Sequence, residues 1–362
     1  MKVGRLLMIG FDGTELPAEF RSAIQKHGIG GFVLFERNLK NPAQIIALNK
    51  HLYSLDRDFV PLIAVDQEGG RVQRLKPPFF HLPSPRKVEE YYKEHNSIDI
   101  IYEYGNFIAE ELSVAGFNMN LAPVLDLSEK KDGVIGDRAF SNIPLIVEEI
   151  GVSMIAGMQD RGIIACAKHF PGNTDTEIDP HEDLPVVEIK SEVLYRNLSP
   201  FIHAINNDVG SVMVSHTLFK GIDNVPASMS KKIVNGILKT ETRFKGIVIT
   251  DDVKMGAIAR RYSVTEAVIN ALSANVDMVM VGNLDVDEFE DIIDKIEESV
   301  AEGVIKKEQI NASLLRTELV KNAVGIRKQL VYDEEDILKL LNDKNHISFI
   351  RKFFNPKNAF AK

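Results

Sequence analysis

Eight short apolar runs recur along this chain, separated by segments with helical composition. The runs are continuously hydrophobic instead of alternating, which is typical of strands covered on both faces in a parallel sheet. The predicted strands lie at residues 6–11, 30–35, 61–66, 118–126, 163–170, 211–216, 246–252 and 276–282. The predicted helices lie at residues 42–55, 98–115, 143–161, 191–207, 228–239, 263–274 and 286–301. This order predicts an α/β fold, a (β/α)8 barrel, with a doubly wound open sheet as the alternative.

Polar residues that follow the strands favour the barrel. They are Asp66, Arg138, Lys168, His169, His216 and Asp251. The carboxyl ends of all strands in a barrel meet at one rim, whereas an open sheet gathers only the residues near its switch point. We therefore expect a single site at the rim of a TIM-like barrel.

The chain has 362 residues, of which 44% are hydrophobic, enough for one large α/β domain with additions. Beyond about residue 310 the pattern becomes helical only. We predict a catalytic barrel over residues 1–310 and a helical C-terminal extension, residues 311–362, that packs on the barrel.

Charge and composition limit the partners. The net charge of −9 without a basic run argues against nucleic acid, and no apolar stretch is long enough to span a membrane. The N-terminal apolar run reaches Asp12 too soon for a signal peptide, so a cytoplasmic location is expected. The single cysteine, Cys166, allows no internal disulfide and is expected to be a buried, inert thiol.

The densest polar segment is KHFPGNTDTEIDPHEDLP, which contains Asp179 and His181. A carboxylate two residues before a histidine favours the imidazolium and orients the ring, so the pair can carry a proton near neutral pH. Pro180 biases Asp179 toward an extended conformation and stiffens the segment. A metal site is the alternative, but the loop lacks a clear ligand set, so we expect neither metal nor cofactor.

A second acidic signal, Asp251-Asp252, ends the strand GIVIT. An aspartate at this position often caps the next helix. Adjacent residues at a strand end point in different directions, so the other carboxylate can face the barrel mouth. This carboxylate and the Asp179–His181 pair (the dyad) together predict covalent acid/base chemistry on a small polar substrate.

The segment DQEGGRVQR offers Asp66 and Arg74, which either grip sugar hydroxyls or pair with each other to close the loop. Its two glycines allow a tight turn, and their spacing does not match a phosphate cradle. Arg138 either contacts a ligand or pairs with Asp137.

The charged pair Lys168-His169 must be paired or face a wet cavity, and the cavity is favoured. His216 is either a ligand contact or a histidine whose hydrogen bonds are satisfied.

The motifs VDQEGGRVQR, NMNLAPVLD, GDRAFS, AKHFPG, PASMS and ITDDVKM, in this order, resemble glycoside hydrolase family 3. The similarity covers about residues 4–285. The Asp-x-His loop is like that of the single-domain β-N-acetylglucosaminidases (NagZ-type). The resemblance implies a TIM-like barrel, Asp251 as nucleophile, His181 as general acid/base and Asp179 as the partner that orients it. It also implies that Asp66, Arg74, Arg138, Lys168 and His169 bind a terminal N-acetylglucosamine.

The function implied is a retaining exo-β-N-acetylglucosaminidase that acts on muropeptides of the GlcNAc-anhydro-MurNAc type in cell-wall recycling, as a monomer. Alternatives are a phosphorylase that uses phosphate as acceptor, a β-glucosidase-like glycosidase and a non-catalytic sugar-binding relative. The chain departs from the common loop pattern at Asn173, Thr174 and Pro180, which affects the expected loop mobility and aglycone preference.

Overall fold

The computed structural model describes residues 2–56, 58–173, 178–326 and 332–353. Within these ranges eight parallel strands form one sheet in which chain order is also spatial order. They are β1 (Leu7–Ile9), β2 (Gly31–Leu34), β3 (Leu62–Val65), β4 (Met119–Asn120), β5 (Ile164–Phe170), β6 (Ser211–Val214), β7 (Ile247–Thr250) and β8 (Val279–Val281). Every predicted strand is confirmed, with shorter bounds.

The two ends of the sheet meet. The backbone N–H of Thr250 donates to Met278 O at 3.2 Å, and that of Met278 donates to Val248 O at 3.1 Å. The sheet is therefore a nearly closed TIM-like barrel, and the doubly wound alternative is wrong. Two short ribbons lie outside it, one pairing Gln67–Gly69 with Val72–Gln73 and the other pairing Val186–Glu188 with Leu218–Lys220.

Helices surround the barrel and continue after its last strand. They are α1 (Phe20–His27), α2 (Pro42–Tyr53), α3 (Pro85–His95), α4 (Asp99–Ala115), α5 (Pro144–Asp160), α6 (Ser191–Asn206), α7 (Gly256–Ala259), α8 (Val264–Ser273), α9 (Val286–Ala301), α10 (Lys307–Val324), α11 (Glu334–Leu341) and α12 (Lys344–Phe353). A π-helical segment, Lys232–Glu241, connects β6 to β7. None of the helices in these ranges is long and apolar enough to cross a membrane.

Local sequence explains where α2 begins. The side-chain oxygen of Asn41 accepts a hydrogen bond from the backbone N–H of Gln44 at 2.9 Å, and Pro42 is the first helical residue. Because proline lacks an N–H that the first turn would leave unpaired anyway, this start is favourable.

The barrel interior is a buried apolar core with a high methionine content. Its side chains come from alternate strand positions and include Met8, Met119, Met213, Met278 and Met280. Cys166 belongs to the same cluster and is fully buried. Burial raises the pKa of the Cys166 thiol to about 12, so the expected buried and inert thiol is confirmed.

Helix α10 closes the amino-terminal end of the barrel. Val320 is part of the interior cluster, and Val324 packs against it. The ammonium of Lys321 donates to Val60 O, ahead of β3, at 2.9 Å. Arg316 pairs with the fully buried Asp277, ahead of β8, at 2.7 Å. This helix therefore forms the floor of the barrel.

The last two described helices lie on its outer layer. Ile337 and Leu341 of α11 are buried, and His346 of α12 stacks on Phe107 of α4 with ring centroids 4.0 Å apart. The C-terminal helices are confirmed. The division of the chain at residue 310 stays a prediction, and α10 crosses that position.

Candidate active site

A network of buried charges lies at the carboxyl ends of β3 and β5. The Lys168 ammonium is 2.8 Å from Asp66 and 2.6 Å from Glu68. Two nitrogens of Arg138 donate to the two oxygens of Glu68, both at 2.8 Å, and Arg74 pairs with Asp66 at 3.2 Å. Three cations and two carboxylates therefore converge at the barrel mouth.

The electrostatics keep these carboxylates ionised. Burial by itself would raise the pKa of Asp66, but Lys168 and Arg74 lower it below the ordinary value. Burial likewise opposes ionisation of Glu68, and Arg138 and Lys168 lower its pKa strongly. Fixed ionised groups of both signs suit a ligand rich in hydroxyls, because such a ligand both donates and accepts hydrogen bonds.

The two glycines of the DQEGG segment form the predicted tight turn. Gly69 and Gly70 have φ angles of 98° and 59°. A Cβ on Gly69 would lie only 2.1 Å from Pro83 O. Glu68 directly precedes this turn, and a side chain larger than hydrogen would not fit at either glycine.

His169 is held by a carboxylate that sequence inspection did not single out. Its Nδ1–H donates to Asp126 at 2.7 Å, since a carboxylate can only accept. Asp126 also accepts the backbone N–H of Asn173 at 2.7 Å, and the Asn173 side chain accepts from the Thr217 hydroxyl at 2.9 Å. The imidazole is thereby oriented with Nε2 available.

The two adjacent aspartates have different hydrogen-bond partners. One oxygen of Asp252 accepts the backbone N–H groups of Lys254 and Gly282 at 2.9 and 2.8 Å. Within the described ranges, the carboxylate of Asp251 instead accepts a single hydrogen bond, from the backbone N–H of Asp252 at 2.8 Å. Asp252 therefore joins the loop after β7 to the end of β8. The helix cap expected at one of the two aspartates is wrong, because Met255 precedes α7 and no side chain caps that helix. The carboxylate of Asp251 is left to act at the rim.

Asp251 is half-buried and charged. Burial alone would raise the pKa of its carboxyl, but His169, the backbone N–H of Asp252 and the ammonium of Lys168 lower it overall. Its backbone N–H donates to Val214 O at the end of β6, at 3.1 Å. An ionised, held carboxylate at a strand end is suited to nucleophilic attack.

His216 holds the backbone beside this carboxylate. Its Nε2–H donates to Asp252 O at 2.9 Å, and its Nδ1 contacts the Ser228 hydroxyl at 2.8 Å. Since a carbonyl can only accept, Nδ1 carries the lone pair that accepts from Ser228. Burial lowers the pKa of His216, which agrees with a neutral ring. Both ring nitrogens are occupied, so His216 is a satisfied histidine and no ligand contact.

The dyad turn, residues 179–183, lies at the same rim. Asp179 accepts both the backbone N–H of His181 at 2.9 Å and its ring Nδ1–H at 2.8 Å. The backbone N–H of Ala257, shortly after Asp251, donates to Pro180 O at 2.9 Å. Asp179 also lies within electrostatic reach of Arg138. His181 is exposed, and within the described residues its Nε2 has no hydrogen-bond partner, so it is available for proton transfer.

Nearly all of the proposed residues therefore gather at one rim, with two corrections. Arg138 does not pair with its neighbour Asp137, which instead pairs with Arg71 at 3.0 Å. Lys168 is paired with carboxylates and its side chain is only 2% exposed, so the open cavity expected around it is wrong. The expected alternative for Asp66, an ion pair with Arg74, is confirmed as a contact. Thr174 lies outside the described residues.

Glu68 and Asp126 were not predicted as site residues, although both lie in the quoted motifs. The sequence offered a signal for each: Asp126 is a carboxylate at the end of the predicted strand 118–126, and Glu68 lies two residues beyond the end of the predicted strand 61–66. In the described part of the chain, no group of three or more histidine, cysteine and acidic side chains is arranged to hold a metal ion.

Comparison with known proteins agrees with this geometry. The profile of the Glycosyl hydrolase family 3 N terminal domain matches residues 1–320. The beta-hexosaminidase of Thiobacillus denitrificans is 36% identical over 280 residues, which are 76% of this chain and 78% of that protein. That of Nitrosomonas eutropha is 35% identical over 76% of this chain and 80% of its own length.

Solved structures show the same similarity. A glycoside hydrolase family 3 beta-N-acetylglucosaminidase from Paenibacillus sp. str. FPU-7 superposes with a TM-score of 0.87 at 31% identity, covering 97% of this chain and 67% of its own. NagZ from Neisseria gonorrhoeae, in complex with N-trifluoroacetyl-D-glucosamine, gives 0.78 at 25% identity and covers 96% of both chains. This chain belongs to glycosyl hydrolase family 3 and is a glycoside hydrolase of the β-N-acetylhexosaminidase type.

Proposed function

We propose that this enzyme is a retaining exo-β-N-acetylglucosaminidase that releases terminal β-linked GlcNAc from peptidoglycan-derived muropeptides of the GlcNAc-anhydro-MurNAc type. One observation carries the proposal: an ionised carboxylate, Asp251, and an oriented His181–Asp179 dyad occupy one rim. A carboxylate and a proton carrier on opposite sides of a sugar are the two groups that retaining hydrolysis requires.

In the first step, Asp251 attacks the anomeric carbon and the bond to the leaving oxygen breaks. Protonated His181 gives its Nε2 proton to that oxygen. The products are a glycosyl ester on Asp251, the free aglycone and a neutral imidazole. Asp179 holds the Nδ1–H, so the proton that leaves is the one on Nε2.

In the second step, the neutral Nε2 accepts a proton from water as the water oxygen attacks the anomeric carbon. The ester bond to Asp251 breaks, which restores its carboxylate and the imidazolium. Two inversions give net retention of configuration. Because Asp179 fixes the tautomer, the same nitrogen serves as acid and then as base.

The buried charge network would hold the terminal sugar. Asp66 can accept from two hydroxyls, while Arg74, Arg138 and Lys168 donate. His169 presents Nε2 because Asp126 occupies its other nitrogen. These groups are fixed by their partners before the substrate arrives, which reduces the ordering cost of binding.

The cellular setting is also part of the proposal: a monomeric enzyme of the cytoplasm that recycles cell wall. It is supported by the likeness to NagZ over nearly the whole chain. Mass spectrometry of the products that the enzyme forms from muropeptides would test the substrate.

A phosphorylase is the second candidate, and the imidazole at His181 favours it over a carboxylate acid/base. After the first step the imidazole is neutral, so it repels phosphate less than a carboxylate would. Product analysis with and without phosphate separates the two. GlcNAc-1-phosphate would support the phosphorylase, and free GlcNAc in both cases would support the hydrolase.

Covalent trapping tests the main proposal. The enzyme is incubated with 5-fluoro-N-acetylglucosaminyl fluoride, digested, and the labelled peptide is mapped. We expect the label on Asp251, and no label in the Asp251→Asn variant. Release of p-nitrophenol from its β-GlcNAc glycoside shows that the wild type is active, and a β-glucoside tests the β-glucosidase alternative. An active wild type labelled on another residue would contradict the assignment.

A further inference from the structure

The dyad turn rests directly on the first residues of α7. Gly256 N–H donates to His181 O at 3.2 Å, and Ala257 N–H donates to Pro180 O at 2.9 Å. On the outer side of the same contact, Arg261 pairs with Asp183 at 2.7 Å. The backbone of the acid/base turn is therefore bound to the backbone of a different loop, the one that follows the nucleophile strand.

The contact requires glycine at position 256. A Cβ placed there would lie 2.5 Å from His181 O and 2.5 Å from Glu182 O. Its next neighbour, the carbonyl carbon of Glu182 at 2.8 Å, also belongs to the turn. These are backbone atoms, so room for a methyl group can be made only by moving the turn itself. The φ of Gly256 lies outside the left-handed region, so alanine suits the local backbone.

The segment between the nucleophile and Gly256 is itself fixed. Asp252 accepts the N–H groups of Lys254 and Gly282 through its side chain. Its carbonyl accepts the N–H of Met255 at 3.0 Å. A short, hydrogen-bonded stretch of backbone thus runs from Asp251 to the point where the turn is seated.

We propose that Gly256 is a positioning residue for acid/base catalysis. By having no side chain, it lets the dyad turn seat closely enough to place His181 Nε2 over the sugar that Asp251 attacks. The inference rests on the proposed function, because it concerns the same two chemical steps. It assigns to α7 the task of setting the separation between nucleophile and acid/base.

The Gly256→Ala variant tests it with two aryl β-GlcNAc substrates. Phenyl glycoside needs a proton on its leaving oxygen, and its turnover should fall by about tenfold or more, as for a misplaced general acid. The 2,4-dinitrophenyl glycoside needs no proton in its first step, so its glycosyl-enzyme should form normally. Water attack without a base then limits turnover. Azide, which needs no base, should restore turnover and yield glycosyl azide.

The matched control is Gly236→Ala, a glycine whose added Cβ would meet only Lys231 O at 3.9 Å and which lies in the π-helical segment. We expect wild-type turnover with both substrates and no effect of azide. A general loss of structure at position 256 would lower both substrates alike and leave azide without effect.

Arg261→Gln serves where Gly256→Ala does not fold, because Arg261 is exposed and its change leaves the core intact. We expect the same dependence on leaving group and azide, but a smaller fall in turnover of the phenyl glycoside, up to about fivefold, as for the loss of a surface ion pair. If Gly256→Ala behaves like the wild type, the positioning role of Gly256 is wrong and the proposed function is unaffected. The same conclusion applies to Arg261→Gln when that variant is used because Gly256→Ala does not fold. An inactive wild type would instead contradict the proposed function.

Discussion

The ammonium of Lys168 lies 2.6 Å from the carboxylate of Glu68, and their side chains are only 2% and 1% exposed. Glu68 also receives both nitrogens of Arg138. It therefore holds two of the cations that would bind the sugar. A buried cation without its partner is costly, because water no longer solvates it.

Glu68→Gln should lower both stability and activity. The amide removes the negative charge between two buried cations, so the free energy of unfolding should fall by about 3–5 kcal/mol. The KM for an aryl β-GlcNAc glycoside should rise, because Arg138 loses its orientation. Denaturant unfolding and steady-state kinetics measure the two effects. Asp137→Asn is the control: its pair with Arg71 is half-exposed, so the change should stay within about 1 kcal/mol.

Ser228→Ala should weaken the hydrogen bonds that hold the backbone next to the nucleophile. The hydroxyl donates to Nδ1 of His216 and so keeps the proton on Nε2, which bonds Asp252 O. Without it, His216 can take up a proton at Nδ1 more easily, so activity should be lost at a higher pH on the acid side. At neutral pH we expect roughly fivefold lower kcat, the equivalent of one hydrogen bond.

The pH profile distinguishes this role from simple packing. Ser230→Ala, in the same PASMS motif, removes a hydroxyl that donates to Asp223 and does not touch His216. Its acid limb should coincide with that of the wild type. An unshifted acid limb in Ser228→Ala would argue against the assigned tautomer.

Asp277→Ala should destabilise the barrel floor without altering the site. The fully buried carboxylate pairs with Lys239 at 2.8 Å and Arg316 at 2.7 Å, and it accepts from Ser313. Removing it leaves two cations unpaired, so we expect a loss of about 3–5 kcal/mol in unfolding free energy with unchanged KM. Exposed Asp294→Ala should stay within about 0.5 kcal/mol. A raised KM would show that floor and rim are coupled.

Docking of α12 should weaken as pH rises. Burial opposes protonation of His346, but Glu110 and Glu111 on α4 raise its pKa above the ordinary value. A raised folded pKa gives stability that is full below about pH 6.5 and is lost as pH rises through the folded pKa. Burial also raises the pKa of Glu111, which acts in the same direction.

Hydrogen exchange of the amides of residues 346–351, corrected for intrinsic rates, should show faster opening at pH 9 than at pH 6. Other groups facing the imidazole are the rings of Phe80 and Phe107, while Arg161 pairs with Glu110. In His346→Gln the opening should be faster at pH 6 and nearly independent of pH. A wild-type segment with equal protection at both values would contradict the assignment.

Much of this architecture could be predicted from sequence because strands and catalytic loops leave local patterns. Each barrel strand is a continuous apolar run, and the Asp179–His181 contact joins residues two positions apart. The division of roles between Asp251 and Asp252 follows from strand geometry, in which neighbours point to opposite sides.

The partners of Arg138 could not be predicted in this way. Asp137 is adjacent, but Glu68 approaches from another strand with both oxygens, a relationship that only the closed barrel creates. Asp126 and Gly256 are similar cases. Their importance comes from contacts with distant segments, to His169 in one case and to the dyad turn in the other. Tertiary contacts between distant segments do not produce a recognisable spacing of residues in the sequence.

The seating of α10 has a practical consequence. A protein truncated at residue 310 would retain every residue of the rim, yet it would lose Val320 and the pairing of Arg316 with Asp277. Water would then reach the methionine-rich interior of the barrel, which α10 covers at its amino-terminal end. Such a shortened enzyme should aggregate or unfold. The smallest functional version of the protein therefore has to include α10, although this helix lies at the end of the barrel opposite the active site.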